Sequence, residues 1–361
     1  MNIENNQIDE KTPESNAGDK KSGNKLKIWL RVISVALLLA ACITAFFKFE
    51  MYNYIPFLNR FTSDEKSEAY TFATDVKSLY EKTLNLSSVE IKSRDPIYAI
   101  ELDRYVAPEP DPTKYDEKFD NYSDSTISVQ HTVEWMHDSK FHFIEIRIKH
   151  PSQFRMALAK NKYGRIRRLP SLIAQEVNAV VAVNGCFYNK RPGGVIIHRR
   201  QILRNIPYGV DVLLIDSNGD FHIIDDRKLG ESDLLEKYDI VNAVSFGPEL
   251  VHDGEALTIT KRNWEPTTCE PRTAICQYDD SLHYLICLAE GRNRYSLGVT
   301  MQVFADEIAA KGVKTAYNLD GGQSGTIVIG NQLKNRVGWG PEKGQGDILY
   351  FATALEADER D

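Results

Sequence analysis

Hydrophobic positions divide the chain into three stretches. Up to residue 27 large apolar residues are nearly absent, while Asn, Lys, Glu, Asp and Ser dominate. Such a composition cannot bury enough surface to fold, so a disordered tail is expected. From Ile28 to Phe47 the pattern inverts, with only Arg31, Ser34 and Thr44 interrupting an apolar run. As a helix that run would measure about 30 Å, the thickness of bilayer hydrocarbon, and a single membrane-spanning helix is predicted. Beyond it the spacing becomes that of a globular protein.

Phe61 to Leu84 carries apolar or aromatic residues at helical intervals, including Phe61, Tyr70, Phe72, Val76, Leu79 and Leu84, and suggests a stalk. Pro108-Glu109-Pro110-Asp111-Pro112 reads as an extended loop. Phe141 to Lys149 then sets Phe143, Ile146 and Ile148 against Glu145, Arg147 and Lys149, the alternation of a half-buried strand. Ala179 to Val183 is a continuous apolar run suited to a strand buried on both faces. Val210 to Ile215 and Phe221 to Ile224, separated by Asp216-Ser217-Asn218-Gly219, make a hairpin with its turn at Asn218-Gly219. Further strands are expected at Val241 to Ser245, Thr273 to Tyr278, Leu282 to Leu288, Thr315 to Leu319 and Thr326 to Ile329. Helices are expected at Ser171 to Val177, capped by Ser171, and from Thr300 or Met301 to Lys311, ended by Gly312. This mixture predicts an α+β fold: a mixed, mainly β-sheet core with flanking helices, preceded by one transmembrane helix. The implied organisation is a tail at 1–27, an anchor at 28–47, a stalk, linker and extension at 48–139, a domain at 140–354 and a short tail at 355–361.

Charge sets orientation and narrows the partners. Lys20, Lys21, Lys25, Lys27 and Arg31 precede or open the apolar run, against Lys48 alone just after it. The tail is therefore expected in the cytoplasm and the domain outside the cell membrane. Leu39-Ala40-Ala41-Cys42 also resembles the lipobox of bacterial lipoproteins, which would tether the same domain through a lipidated Cys42. A formal net charge of −7 argues against nucleic acid as a partner. The four cysteines after the anchor, Cys186, Cys269, Cys276 and Cys287, show no C-x-x-C spacing, and buried thiols are favoured over bridges.

The chemistry concentrates where apolar strands end in polar or glycine-rich turns. Three such ends stand out: Val183-Asn184-Gly185, Leu288-Ala289-Glu290-Gly291-Arg292 and Leu319-Asp320-Gly321-Gly322. Strand ends are a rigid base for loops that bind. The last continues as Gln323-Ser324-Gly325-Thr326, a turn that can aim backbone N–H groups at an anion, and it lacks the Lys of a nucleotide-binding P-loop. With Arg272 just before another strand, these ends offer two arginines, two carboxylates and an amide around a glycine-rich nest, a receptor suited to phosphate.

Taken in order, Asn184-Gly185, Phe246-Gly247-Pro248, Pro271-Arg272-Thr273-Ala274-Ile275, Glu290-Gly291-Arg292 and Asn318-Leu319-Asp320-Gly321-Gly322 resemble the phosphodiester glycosidase domain family, over about residues 140 to 354. Gly298-Val299-Thr300 is similar to that family's helix opening. The chain departs from the family pattern at Gln323 and Gly325, at Cys276, at Glu290 where Asp is usual, and at Gln345-Gly346-Asp347-Ile348. The resemblance implies hydrolysis of the sugar C–O bond in a phosphate-linked glycan. It implies Arg272, Arg292, Ser324 and the N–H groups of Gly321 and Gly322 on the phosphate, Asp320 as base, nucleophile or cation stabiliser, Glu290 as a second carboxylate and Asn184 on a sugar hydroxyl. No cofactor is certain, although Asp320 with Asn184 or Glu290 offers oxygens to a divalent cation. Two other readings stay open at this stage: a phosphodiesterase cutting P–O, and an inactive binder of cell-envelope glycans.

Overall fold

The computed structural model describes residues 106–230, 233–260 and 267–354. The expected tails, the apolar run at 28–47 and the helix at 61–84 lie outside the described residues. In chain order the strands are β1 (Tyr122–Ser123), β2 (Ile127–Met136), β3 (Ser139–Ile148), β4 (Phe154–Leu158), β5 (Val181–Asn184), β6 (Gly194–His198), β7 (Gln201–Ile206), β8 (Asp211–Asp216) and β9 (Phe221–Asp225). There follow β10 (Ile240–Ser245), β11 (Glu249–His252), β12 (Glu255–Ala256), β13 (Arg272–Gln277), β14 (His283–Ala289), β15 (Thr315–Leu319), β16 (Ile327–Ile329), β17 (Gln332–Leu333) and β18 (Asp347–Phe351). Helix α1 (Pro170–Glu176) lies between β4 and β5, and α2 (Met301–Ala309) between β14 and β15.

The strands form three sheets, ordered β1-β2-β3-β14-β13-β15-β11-β12, β7-β6-β10-β8-β9 and β17-β16-β5-β18-β4. The mainly β architecture with few helices agrees with an α+β fold. The expectation of a mixed sheet is corrected: every pairing among the described strands is antiparallel. Parallel neighbours need crossover connections, usually helical, and the described residues contain only two α-helices.

One core joins the sheets. Ile144 and Ile146 from the first, Ile196 and Leu213 from the second, and Val181, Val183 and Phe351 from the third are packed in a single buried cluster. Phe154 stacks on Phe351 at 4.5 Å between centroids and meets Tyr284 at 5.2 Å, which pins the third sheet to β14. Burying each such side chain contributes about 1.5–3 kcal/mol. The outer faces are covered too: Phe304 and Ile308 of α2 pack with Ala274, Cys276 and Ala316, and Ile173 and Ala174 of α1 pack with Ala182 and Ile348. Double burial explains why β5, β13, β14 and β15 read as continuous apolar runs rather than alternating ones.

The helix starts differ from each other. Thr300 caps α2 by accepting the Val303 N–H at 3.3 Å, as the sequence suggested for that boundary. Ser171 does not cap α1. Pro170 occupies its first position with Leu169 before it, and the Glu342 carboxylate, from a distant loop, accepts the Ser171 N–H at 2.7 Å. The four described cysteines are unbridged, with Cys186, Cys276 and Cys287 buried and Cys269 exposed.

Candidate active site

Antiparallel pairing brings strand ends and strand beginnings to one place. The last residues of β14 and β15 flank the start of β13, with Ala289 opposite Arg272 and Leu319 opposite Thr273. In the third sheet the end of β5 lies beside the start of β18, with Asn184 opposite Ile348. Asn184 fastens these ends together. Its side-chain amide donates to the carbonyls of Asp320 (2.7 Å) and Gly185 (3.2 Å), and its oxygen accepts the Thr326 N–H at 3.0 Å. The residue is fully buried, so it holds loops in place and does not line the opening.

The opening is a cleft of about 320 Å³ whose walls include Arg272, Arg292, Asp320, Gly321, Gly322, Ser324 and Lys343. Asp320 is its most distinctive group. One carboxylate oxygen, Oδ2, is buried without a hydrogen-bond partner. Loss of solvation pushes this carboxyl up to about 6, while the Ser324 hydrogen bond and the positive charges of Lys343, Arg191 and Arg292 pull the other way. The group is thus ionised at neutral pH yet ready to take a proton slightly below it.

The arginines are held firmly. Arg272 donates from Nε to the Val299 carbonyl (3.2 Å) and from Nη2 to the Thr268 carbonyl (2.8 Å). Burial lowers its guanidinium to about 10, and it stays charged at neutral pH. Arg292 donates from Nε to the Glu270 carboxylate and lies 4.9 Å from the ring centroid of Trp339. Its Nη1 comes within 3.0 Å of where a Cβ on Gly322 would sit, and Gly322 has φ +60. Space and backbone angle both call for glycine there. A Cβ on Gly321 would lie 2.4 Å from the Pro271 carbonyl oxygen.

Several expected roles meet a different geometry. The Gly322 N–H donates to the Pro271 carbonyl at 2.9 Å, so that donor is directed at the protein and not at a phosphate. Ser324 is buried, and its hydroxyl accepts from Lys343 Nζ at 3.1 Å, a cation that sequence reading overlooked. Glu290 is absent from the cleft walls. It is 1 % exposed and accepts from His142 Nε2 (3.0 Å), the Arg336 N–H (2.8 Å) and, at longer range, the Ser296 hydroxyl. Burial pushes its carboxyl up, but the hydrogen bonds from His142 and Arg336 prevail and hold it below the usual range.

The donor set does not fit a divalent cation. Asp320 faces Lys343, Arg191 and Arg292, while Asn184 and Glu290, the other oxygens considered, are engaged elsewhere. Among the described residues no three His, Cys, Asp or Glu side chains converge as ligands.

A second carboxylate does lie near Asp320. Asp347, fully buried, accepts the Cys186 N–H at 3.3 and 3.2 Å and the Cys186 thiol at 3.4 Å. A Cβ on Gly185 would fall 1.9 Å from its Oδ2, so glycine makes its room. Burial raises its carboxyl to about 7, the charge of Asp320 adds to the rise and Arg204 opposes it. Burial raises both carboxyls, and the charge of Asp320 favours the protonated form of Asp347. The signal for Asp347 lies in Gly346-Asp347-Ile348, a carboxylate at a strand beginning, where Asp320 and Glu290 stand at strand ends.

Residues 177–352 match the sequence model of the NAGPA family, described as phosphodiester glycosidase. All five ordered motifs fall within that stretch. The fold is similar to the catalytic domain of zebrafish N-acetylglucosamine-1-phosphodiester alpha-N-acetylglucosaminidase, auto-inhibited by its pro-peptide, with TM-score 0.53 and 15% identity over 69% of this chain and 87% of that one. A Synechocystis protein is similar at 14% identity and TM-score 0.45, over 62% of each chain. No curated protein matches the chain.

Proposed function

We propose that this protein hydrolyses the sugar C–O bond of sugar-1-phosphodiesters, as a membrane-anchored glycosidase acting outside the cell on phosphate-linked glycans of the envelope. The observation that carries the chemistry is the unpartnered Oδ2 of Asp320 in a cleft whose walls include Arg272, Arg292 and Lys343. The cations hold the phosphodiester. Asp320 takes a proton from water as the water oxygen attacks the anomeric carbon, and the C–O electron pair leaves with the phosphate. That leaving group is already a stable anion, so little acid assistance is needed. Asn184 and Glu290 act at one remove, by fixing the loops. The anchor, the extracytoplasmic position and the envelope substrate are supported by the apolar run at Ile28 to Phe47 and the basic residues before it.

Hydrolysis in ¹⁸O-labelled water tests the bond that breaks. The expected result is unlabelled phosphomonoester, with the new oxygen on the sugar. Label in the phosphate would mean P–O cleavage and overturn the glycosidase reading.

A further inference from the structure

The cleft has a rim that the reaction does not use. Trp339 is 78% exposed, yet its backbone is fixed: the main-chain N–H donates to Gln323 Oε1 at 2.9 Å, and Gln323 Nε2 donates to the Pro341 carbonyl at 3.0 Å. Arg292, a cleft arginine, packs near its ring, while most of the indole stays in solvent. On the turn that follows Arg292, Tyr295 is 42% exposed, with the Arg336 guanidinium 4.2 Å and the Arg294 guanidinium 4.5 Å from its ring centroid. This turn is also ordered, because Asn293 Oδ1 accepts the N–H groups of Tyr295 (2.9 Å) and Ser296 (3.0 Å). The two segments adjoin, since a Cβ on Gly338 would lie 3.7 Å from that of Arg292.

Neither Arg294 nor Arg336 has a carboxylate ion pair among the described residues. Arg294 donates to the Tyr295 hydroxyl, and in a chain of formal charge −7 two guanidinium groups gathered at one edge without a carboxylate partner among the described residues are not a by-product of composition. Aromatic faces suit the apolar C–H faces of sugar rings, and guanidinium edges suit phosphate or carboxylate oxygens in bidentate fashion. Both chemistries repeat along an anionic glycan. The geometry points to a subsite here, formed by Trp339, Tyr295, Arg294 and Arg336, that holds a neighbouring repeat of an anionic polymer whose phosphodiester occupies the cleft. This inference rests on the reading of the cleft given above.

The test is binding, measured on the full chain carrying Asp320→Asn to prevent turnover. The probes are the methyl phosphodiester of N-acetylglucosamine 1-phosphate, a four-repeat oligomer with the same linkage, and neutral dextran of similar length. The oligomer is expected to bind about tenfold tighter than the single repeat, equivalent to about 1.4 kcal/mol, with dextran not bound. Trp339→Ala, and separately Arg294→Ala with Arg336→Ala, should reduce that advantage to below about twofold. All three side chains are exposed, so folding is not at stake. An oligomer advantage that is absent, that survives both variants, or that dextran shares would overturn the subsite. Hydrolysis of the single repeat by the unsubstituted chain, without a length advantage, removes the subsite and leaves the glycosidase. A length advantage that depends on these residues, without hydrolysis, removes the glycosidase and leaves the subsite.

Discussion

Asp320 and Glu290 occupy equivalent places in the chain's design. Each follows an apolar strand, each precedes glycine, and the two strands lie on either side of β13. Their surroundings make them opposites. Glu290 lies at the end of β14, next to β3, which supplies His142, and the loop beyond Asn335 supplies a backbone N–H. Asp320 lies where the first sheet meets the third, and there its neighbour is Gly185, which has no side chain to offer. One carboxylate is saturated and held acidic, while the other keeps a bare oxygen and a raised proton affinity. A strand-end acid becomes reactive where its neighbours withhold partners.

Substitution should separate the two most sharply in turnover. Asp320→Asn is expected to lower kcat/KM about a thousandfold with the fold retained, whereas Glu290→Gln stays within about threefold, as read by release of free sugar. Comparable losses from both would erase the distinction. Stability should then reverse the ranking. Glu290→Ala breaks a buried pair and is expected to cost about 3–5 kcal/mol in denaturant unfolding, with Asp320→Asn neutral or stabilising.

Asp347 refines the contrast through pH. Its folded value is raised above the unfolded one, so the stability linked to its proton is full at low pH and is lost as pH rises through about 7. Asp347→Asn should therefore match the parent in stability near pH 4 and exceed it near pH 8 by on the order of 2–4 kcal/mol. The smallest expected effect is on activity. Turnover should rise with pH through about 6 as Asp320 ionises. Since Asp347 is still protonated there, Asp347→Asn should move that midpoint by less than about half a pH unit. A larger displacement in the pH–rate profile would show that the two carboxyls share one proton.

The parts most readable in sequence were those buried on both sides. The runs that became β5, β10, β13 and β14 stand out because a doubly covered strand tolerates little polarity. Strands such as β4, with buried Arg155, and β7, with Arg204 and Asn205, hide among polar residues whose partners come from elsewhere in the fold. Strand direction was not readable either, since an apolar run has the same composition in both directions. At the site, the glycines and arginines disclosed a loop near Asp320. They did not disclose which donors face inward: the N–H of Gly322 and the amide of Asn184 are consumed by carbonyls contributed by other loops. Lys343 was invisible for the same reason, because its loop is brought over the cleft by contacts distant in sequence, Gln323 with Pro341 and Trp339 and Ser171 with Glu342.

The position of β18 bears on when the molecule becomes competent. It is the last of the described strands, and it inserts between β5 and β4, both made long before it. Asp347 and the packing behind Gly185 arrive only with that insertion. Without β18, β5 and β4 lose the strand that joins them and Asp320 loses its neighbouring carboxyl, so the support behind the cleft cannot assemble from the earlier strands alone.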